Sequence, residues 1–469
     1  MTDHPKKNQL YEIEIQDLNN LGYGVGRIGE LVTFVSGAVD GDTVLARVLR
    51  VTKTYAVAKV EKLLVPSPFR TENDCPSRSC GGCAYRSITY GHELELKRGY
   101  VKAAFRKAGL PDAEVLPTLS TGKTEGYRNK AQYPIARDEK GRLTIGFFAP
   151  RSHRVISARA CALQPKVFSR ILAEIEAWIE KHGISIYDEE SQTGLLRHIY
   201  LRCSAEAKEI LLTLVVNGRG LPHADELIAT LRASHASLVG VVLNSNTENT
   251  NVICGNEYRL LWGRDYVEDT LCGVTLRLRP AAFYQVNRDA TELLYKKAAE
   301  LAELQGDELL LDLFCGVGSI GLSMAGRVRE LVGIEIVPDA ISCAKENAAR
   351  NGIKNAHFYV GDATDTERLL ANAESELGRR LAPDAVILDP PRRGADEALL
   401  RFLAAREIPK IVYISCNPDT LARDVAILSS LGYSFGEITP VDLFPRTGHV
   451  ESVVCLTRRL DNELRARMN

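Results

Sequence analysis

The C-terminal third of the chain alternates short apolar runs with segments of helical spacing. Each run is short enough for a strand and is followed by glycine or polar residues. This alternation predicts an α/β fold with a doubly wound, mostly parallel sheet. Ligands bind beyond the carboxyl ends of such strands, so the residues just after each run carry the functional information. The runs cover residues 309–313, 331–336, 357–360, 385–388 and 411–414.

The preceding sequence has a different character. Residues 9–64 alternate apolar and polar positions and are punctuated by glycines, which predicts a small β-barrel. Strand-like runs such as 210–216 are mixed with a helix over 165–182, which predicts an α+β middle domain. The expected division is 1–66 for the barrel, 67–275 for the middle domain and 276–469 for the doubly wound domain, with a helix over 92–110 that packs on the last.

Composition limits the class of protein. A formal net charge of −1 does not by itself indicate a nucleic-acid partner. No stretch of about eighteen uncharged apolar residues and no basic start before an apolar run is present, so neither a membrane span nor secretion is supported, and we expect a cytoplasmic protein. The eleven cysteines fit reduced thiols better than disulfides, so clustered cysteines indicate a metal or catalysis.

A glycine turn follows the first run of the doubly wound part. Gly316 and Gly318 let the backbone lie close to a ligand before a helix begins. The next run ends in Glu335, 19 residues after Gly316, a spacing that suits a carboxylate accepting hydrogen bonds from a ribose. Nicotinamide and flavin enzymes use the same device, so the turn alone does not identify the cofactor.

Two more carboxylates follow later runs. Asp362 could hold an adenine or be a structural turn residue. Asp389 begins an Asp-Pro-Pro-Arg string, and the two prolines stiffen the loop around an acid for which a nicotinamide enzyme has no obvious need. Together with the glycine turn and Glu335, this string favours S-adenosylmethionine over NAD.

The fifth run ends in a thiol, and the last strand begins near an acid. Cys416 follows its run, at the sheet edge where the cofactor is expected, and Glu451 precedes a final apolar strand. Carbon 5 of uracil is too poor a nucleophile to accept a methyl group until a thiolate adds to carbon 6. A general base must then remove the carbon 5 proton before the thiolate leaves. The pair predicts methylation of a uridine that is flipped out of its stack.

Four strings in this order resemble the 5-methyluridine RNA methyltransferase family: Asp-Leu-Phe-Cys-Gly, Asp-Pro-Pro-Arg, Ser-Cys-Asn-Pro and His-Val-Glu-Ser. The resemblance spans the chain and implies a TRAM barrel, a middle domain and a Rossmann-like methyltransferase domain. It implies Cys416 as nucleophile and Glu451 as base. The cofactor contacts that it and the turn imply are Gln285, Phe314, Gly316, Ser319, Glu335, Asp362 and Asp389, with Ser319 standing where family members often have asparagine.

A cysteine cluster lies within the expected middle domain, beginning shortly after the barrel. Cys75, Cys80 and Cys83 are close in sequence, and Cys161 could complete four thiolates. Four sulfurs suit zinc or an iron-sulfur cluster, and four free thiols are the alternative. Resemblance to the ribosomal-RNA branch of the family implies a 4Fe-4S cluster.

The same branch implies 23S ribosomal RNA as the partner, with transfer RNA as the alternative, and we expect a monomer. Phosphate contacts could come from several basic stretches, although such stretches are usually solvated faces. They comprise Arg128, Asn129, Lys130, Arg151, His153, Arg154, Arg197 and His198.

Three other functions are compatible with part of the sequence. An NAD-dependent oxidoreductase would use the glycine turn but would leave Cys416 and Glu451 without a role. An amino-group methyltransferase could use the acid-Pro-Pro loop but needs no thiol. A non-catalytic RNA-binding module would use the barrel and transfer nothing.

Overall fold

The N-terminal part forms one six-stranded sheet. The computed structural model describes residues 4–138 and 140–459. In this sheet the strand order is β1-β5-β6-β4-β3-β2, and alternate side chains such as Val44, Ala46 and Val48 are fully buried. The alternation predicted from the sequence therefore forms the core of the sheet. The strands are β1 (Leu10–Glu14), β2 (Asp17–Leu18), β3 (Tyr23–Ile28), β4 (Leu31–Ser36), β5 (Thr43–Val51) and β6 (Tyr55–Val65).

A helix, α1 (Tyr90–Lys107), separates this sheet from a second, seven-stranded sheet. Its order is β13-β12-β11-β10-β7-β8-β9, with only β11 and β12 parallel. Apolar side chains of α2, including Ile171 and Ile175, pack with the sheet in one core. The elements are β7 (Lys130–Arg137), β8 (Leu143–Phe148), β9 (Val155–Ser157), α2 (Lys166–His182), β10 (Leu196–Cys203), β11 (Ile210–Val216), α3 (Ala224–Ser234), β12 (Leu238–Ser245) and β13 (Glu257–Gly263).

The C-terminal part is a two-stranded hairpin followed by the predicted doubly wound sheet. The hairpin consists of β14 (Val267–Leu271) and β15 (Val274–Leu278). The rest comprises α4 (Arg288–Ala302), β16 (Leu309–Leu313), α5 (Ser319–Met324), β17 (Glu330–Glu335), α6 (Pro338–Arg350), β18 (Ala356–Val360), α7 (Thr366–Leu377), β19 (Ala385–Leu388), α8 (Glu397–Ala405), β20 (Lys410–Ser415), α9 (Pro418–Ser430), β21 (Tyr433–Phe435), β22 (Thr439–Val441) and β23 (Glu451–Arg458).

Five parallel strands form the centre of this sheet, in the order β18-β17-β16-β19-β20. β23 then pairs antiparallel with β20, and β21 and β22 pair with β23. The strand positions agree with the apolar runs because strands covered by helices on both faces must be apolar at successive positions. The predicted fold class is confirmed.

The helix α1 packs against the C-terminal part of the chain, although it lies far from it in sequence. Its residues Val101, Ala104 and Phe105 are buried in the same core as Leu421 and Val425 of α9. In the structure this helix therefore packs against the C-terminal part of the chain. The expected boundary between residues 275 and 276 lies within β15, and the division into three domains stays a prediction.

Within the ranges 4–138 and 140–459, no helix has the length and apolar character needed to cross a membrane.

Candidate active site

A cavity of about 1010 Å³ opens at the carboxyl ends of the central strands. This is the edge at which a doubly wound sheet binds its ligands. The residues that follow β16, β17, β19 and β20 all contribute to its wall. The predicted residues that line it are Gln285, Phe314, Gly316, Ser319, Glu335, Asp362, Asp389, Cys416 and Glu451.

The glycine turn after β16 is joined to the end of β17. Gly316 has a φ of 54° and Gly318 a φ of 79°, a conformation that glycine adopts without steric cost. The amide of Gly316 donates to Glu335 Oε2 at 3.1 Å, and the amide of Val337 donates to Glu335 Oε1 at 3.0 Å. These bonds fix the carboxylate at the rim of the cavity, where it can accept hydrogen bonds from a ligand.

Two aspartates, Asp312 in β16 and Asp389 directly after β19, lie at the same end of the sheet. Burial raises the pKa of Asp389 to about 7 and that of Asp312 to about 7. Asp312 Oδ2 accepts from the amide of Gly321 at 2.9 Å, and its Oδ1 has no hydrogen-bond partner among the residues that the structure describes. Asp389 lines the cavity, where a bound cationic or hydrogen-bonding ligand would stabilise its carboxyl group in the charged form.

Cys416 and Glu451 come together because β20 and β23 are neighbours. Ser415 at the end of β20 pairs with Ser452 near the start of β23, so the residues on either side reach the same cavity. Cys416 is half-buried, and Glu451 is only 2% exposed. The sequence placed Glu451 before its strand; it is in fact the first residue of β23 and pairs with Val441.

Burial and neighbouring charges shift the pKa values of both groups. Burial, with the charges of Glu451 and Asp389, raises the pKa of the Cys416 thiol to about 11. Burial, with the charge of Asp389, raises the pKa of Glu451 to about 8. The charge of Arg392 lowers both pKa values and so favours the thiolate and the carboxylate. A thiol and an acid with a shared cation can carry out consecutive nucleophilic and proton-transfer steps.

The remaining predicted residues have defined local roles. Gln285 is 9% exposed, and its carbonyl accepts from Asn129 Nδ2 at 2.9 Å. Ser319 begins α5, and its hydroxyl lies 2.9 Å from the hydroxyl of Tyr295. Asp362 accepts from the amide of Thr364 at 2.9 Å, as a turn aspartate does, and also lines the cavity.

Several cavity residues were not predicted from the sequence. Tyr295 comes from α4, and Phe444 comes from the loop between β22 and β23. No local motif marks these two residues. His449 and Arg392 stand within two of the quoted strings, which was a usable signal, but the sequence assigned them no role at the site.

The four cysteines of the cluster, Cys75, Cys80, Cys83 and Cys161, lie near one another. The loop that carries Cys80 packs against β9, and Ser77 Oγ donates to the carbonyl of Ser157 at 2.5 Å. Burial, and the charges of Cys161, Cys75 and Cys80, raise the pKa of Cys83 to about 12. No group of three or more His, Cys, Asp or Glu residues in the described part of the chain is arranged to hold a metal ion.

The structure corrects part of the expected RNA contacts. Asn129, Arg197 and His198 are buried, and Arg197 Nη1 donates to the carbonyls of Asn246 and Glu248 at 2.8 and 3.0 Å. Their assignment as phosphate contacts is wrong, because side chains this buried are not on the surface that an RNA backbone meets, and the Arg197 guanidinium is already paired with carbonyls. Burial also lowers the pKa of Lys130 to about 8. The exposed candidates are Arg151, His153 and Arg154.

A family comparison identifies the kind of protein. A sequence model described as tRNA (Uracil-5-)-methyltransferase matches residues 89–459, most of the chain. The chain belongs to this family. A model of the TRAM domain matches residues 6–60, which span most of the six-stranded N-terminal sheet. Membership in the tRNA (uracil-5-)-methyltransferase family agrees with the resemblance inferred from the four strings.

Individual relatives of this tRNA (uracil-5-)-methyltransferase family member match along nearly their whole length. An RNA methyltransferase from Clostridium tetani, described as uncharacterized, is 39% identical over 453 residues, 96% of this chain and 97% of that one. One from Halalkalibacterium halodurans is 37% identical over 452 residues, 96% and 97% of the two chains. The crystal structure of Pyrococcus abyssi tRNA (uracil-54, C5)-methyltransferase with S-adenosyl-L-homocysteine has a TM-score of 0.75 at 27% identity and covers 95% of this chain and 99% of that one.

Proposed function

We propose that this protein transfers a methyl group from S-adenosylmethionine to carbon 5 of a uridine in 23S ribosomal RNA. Cys416 is the nucleophile and Glu451 the base in this proposal. The observation that carries it is the pairing of β20 with β23. This pairing brings the thiol and the acid into the cavity at the carboxyl ends of the parallel strands, where we expect the cofactor to bind. An NAD-dependent oxidoreductase would have no use for a thiol and an acid in the same cavity. Membership in the methyltransferase family also disfavours this alternative.

Cys416 opens the reaction as a thiolate. Its sulfur bonds to carbon 6 of the flipped uracil, and the electron pair of the double bond moves to carbon 5 and the carbonyl at carbon 4. Carbon 5 is then nucleophilic enough to accept a methyl group. Because Arg392 lowers the pKa of Cys416, this cation favours the attacking form of the sulfur.

Glu451 closes the reaction. After methyl transfer it takes the proton from carbon 5, the electron pair re-forms the double bond to carbon 6, and the sulfur leaves as thiolate. A carboxyl group in water would be too weak a base for this step. Burial raises the pKa of Glu451 to about 8, which makes its carboxylate a stronger proton acceptor near neutral pH.

The cavity suits the methyl donor, which supplies an electrophilic methyl group on a sulfonium. Glu335, held by two backbone amides, is placed for the ribose hydroxyls. For the adenine we propose Asp362, which lines the same cavity. The other residues that we propose for the donor are Gln285, Phe314, Gly316, Ser319 and Asp389.

We propose that Cys75, Cys80, Cys83 and Cys161 bind a 4Fe-4S cluster, with zinc as the alternative. Support comes from their shared neighbourhood, in which each of Cys75, Cys80 and Cys161 raises the pKa of Cys83. Four thiolates are the donor set that such a cluster requires. Bound metal would cross-link the 75–83 loop to the segment at Cys161, and small movements of these side chains would complete the site.

The identity of the RNA rests on analogy. The cysteine set favours 23S ribosomal RNA, as in the branch of the family that carries it. Transfer RNA is the second candidate, favoured by the description of the matching family and by the transfer-RNA activity of the similar Pyrococcus abyssi enzyme. The exposed Arg151, His153 and Arg154, together with the N-terminal sheet, are the proposed contacts. A monomeric state and a cytoplasmic location stay predictions.

RNA carrying 5-fluorouridine provides the test. Fluorine cannot leave as a proton does, so methylated RNA should remain bonded to the protein as a stable adduct that requires the methyl donor. Cys416→Ala should abolish the adduct, and peptide mapping should locate the bond at position 416. Absence of any adduct in the wild type would overturn the mechanism, while mapping of lost 5-methyluridines in a deletion strain would decide between the two RNAs.

A further inference from the structure

The loop 442–449 joins β22 to β23 and ends two residues before Glu451. Phe444 and His449 of this loop line the same cavity as Cys416. Their rings lie 5.8 Å apart between centroids, at an angle of 72°. The loop therefore contributes to the wall of the cavity that also contains the thiol and the base.

Donors outside the loop determine its shape. Four successive carbonyl groups, from residue 443 to residue 446, each accept a hydrogen bond from a different region of the chain. A loop held at four successive carbonyls cannot change its course there without breaking several bonds. The donors are Asn287 Nδ2 to Leu443 at 3.0 Å, Lys97 Nζ to Phe444 at 3.1 Å, Tyr127 hydroxyl to Pro445 at 2.9 Å and the Tyr85 amide to Arg446 at 3.0 Å.

Lys97, the charged residue among these four donors, is buried. Lys97 is 1% exposed, and its ammonium group lies 2.7 Å from Glu93 Oε1 and 2.7 Å from Asp442 Oδ1, both carboxylates being fully buried. Asp442 Oδ2 also accepts from the Tyr90 hydroxyl at 2.7 Å. The amide of Arg446 donates to Glu93 Oε1 at 2.7 Å. Both carboxylates thus connect Lys97 to the two ends of the carbonyl-anchored segment.

We propose that Lys97 is a positioning residue for the methylation reaction: its ammonium group, bonded to Asp442 and to the carbonyl of Phe444, holds the loop 442–449 so that Phe444 and His449 face the target base. This inference rests on the proposed function. Lys97 itself does not line the cavity. It acts through the loop, from a helix that is far in sequence from the residues lining the cavity.

The charge of Lys97 also reaches the cavity wall. Burial, Arg392, Arg128 and Lys97 together lower the pKa of His449. His449 thus presents a neutral imidazole, which can donate and accept hydrogen bonds with a pyrimidine edge. The spatial link between the buried network and the substrate side of the cavity is therefore electrostatic as well as steric.

The test replaces Lys97 with methionine, which is of similar length and carries no charge. We expect the single-turnover rate of adduct formation on saturating 5-fluorouridine RNA to fall by about 10- to 100-fold, the scale of loss when a reacting group is misplaced. Affinity for S-adenosylmethionine, measured by calorimetry, should stay within about twofold, because Lys97 does not touch the donor wall. Val101→Ala, on the same helix but in the core against α9, is the control for destabilisation and should retain the wild-type rate.

A folded Lys97→Met protein with the wild-type rate would overturn the inference and leave the proposed function intact. If the wild type itself forms no adduct, the proposed function fails first. Should Lys97→Met not fold, Tyr90→Phe removes one hydrogen bond to Asp442 and keeps the buried charges paired. It should lower the same rate by about threefold or more with unchanged donor affinity, and an unchanged rate would overturn the inference.

Discussion

Gly448 lies directly against the backbone carbonyl of Asn20, so that a Cβ atom at position 448 would be 1.8 Å from this oxygen. Asn20 belongs to the turn between β2 and β3 of the N-terminal sheet, and Gly448 immediately precedes the cavity residue His449. The turn between β2 and β3 of the N-terminal sheet is thus in contact with the loop 442–449.

Gly448→Ala should push the loop 442–449 away from the turn at Asn20, because the new methyl group meets backbone atoms that cannot rotate away. We expect a lower melting temperature and at least a fivefold loss of kcat/KM for RNA. Gly99→Ala is the matched control, since it lies exposed in α1 with open space around its Cβ position. That control should be stabilised by about 0.5–1 kcal/mol. Wild-type stability and activity in Gly448→Ala would contradict the contact.

Glu451→Gln should separate the two halves of the proposed reaction. The amide keeps the shape of the side chain but cannot take the carbon 5 proton, so methylated uridine RNA should remain attached to Cys416. Denaturing gels with natural RNA should show an adduct that the wild type resolves. Rapid release of methylated RNA from this variant would assign the base to another residue.

We expect kcat/KM for RNA methylation to rise with pH. Below its pKa of about 8 the carboxyl group of Glu451 is protonated and cannot act as a base, and Cys416, with a pKa of about 11, is protonated as well. We expect kcat/KM to increase by nearly a hundredfold between pH 6 and pH 7, because each ionisation contributes nearly tenfold, and to continue rising more gradually toward pH 9. A profile that is flat between pH 6 and pH 8 would show that neither ionisation limits the reaction.

Glu335→Gln should weaken binding of S-adenosylmethionine. Replacing a carboxylate by an amide removes charge-assisted hydrogen bonds, worth about 1.5–3 kcal/mol. We expect a 10- to 100-fold increase in Kd by calorimetry. Glu346→Gln, on the cavity rim but paired with Arg279, is the comparison and should change the Kd little. Equal effects of the two substitutions would place the donor elsewhere in the cavity.

Anaerobically purified protein should be brown and contain about four irons per chain. Cys161→Ser should lose the visible absorption and most of the iron, because a serine hydroxyl is a poor ligand for the cluster. Cys254→Ser, a half-buried cysteine outside the set, should retain both. A colourless wild type that contains zinc would replace the iron-sulfur proposal, and a metal-free protein would contradict both.

The sequence was sufficient where function depends on local pattern. The apolar runs predicted the strands because strands buried on both faces need apolar residues in succession, and the residues after them predicted the wall of the cavity. The four strings predicted the family. These features are short-range, so they can be recognised without knowing what packs against what.

The tertiary structure decided what long-range packing controls. Glu93 and Lys97 are four residues apart on a helix and look in sequence like a solvated ion pair, yet both are buried against Asp442, some 345 residues later. Arg197 and His198 look in the same way like RNA contacts and are buried instead. A charged side chain has the same sequence signature in solvent and in a core, because burial depends on which distant segments cover it.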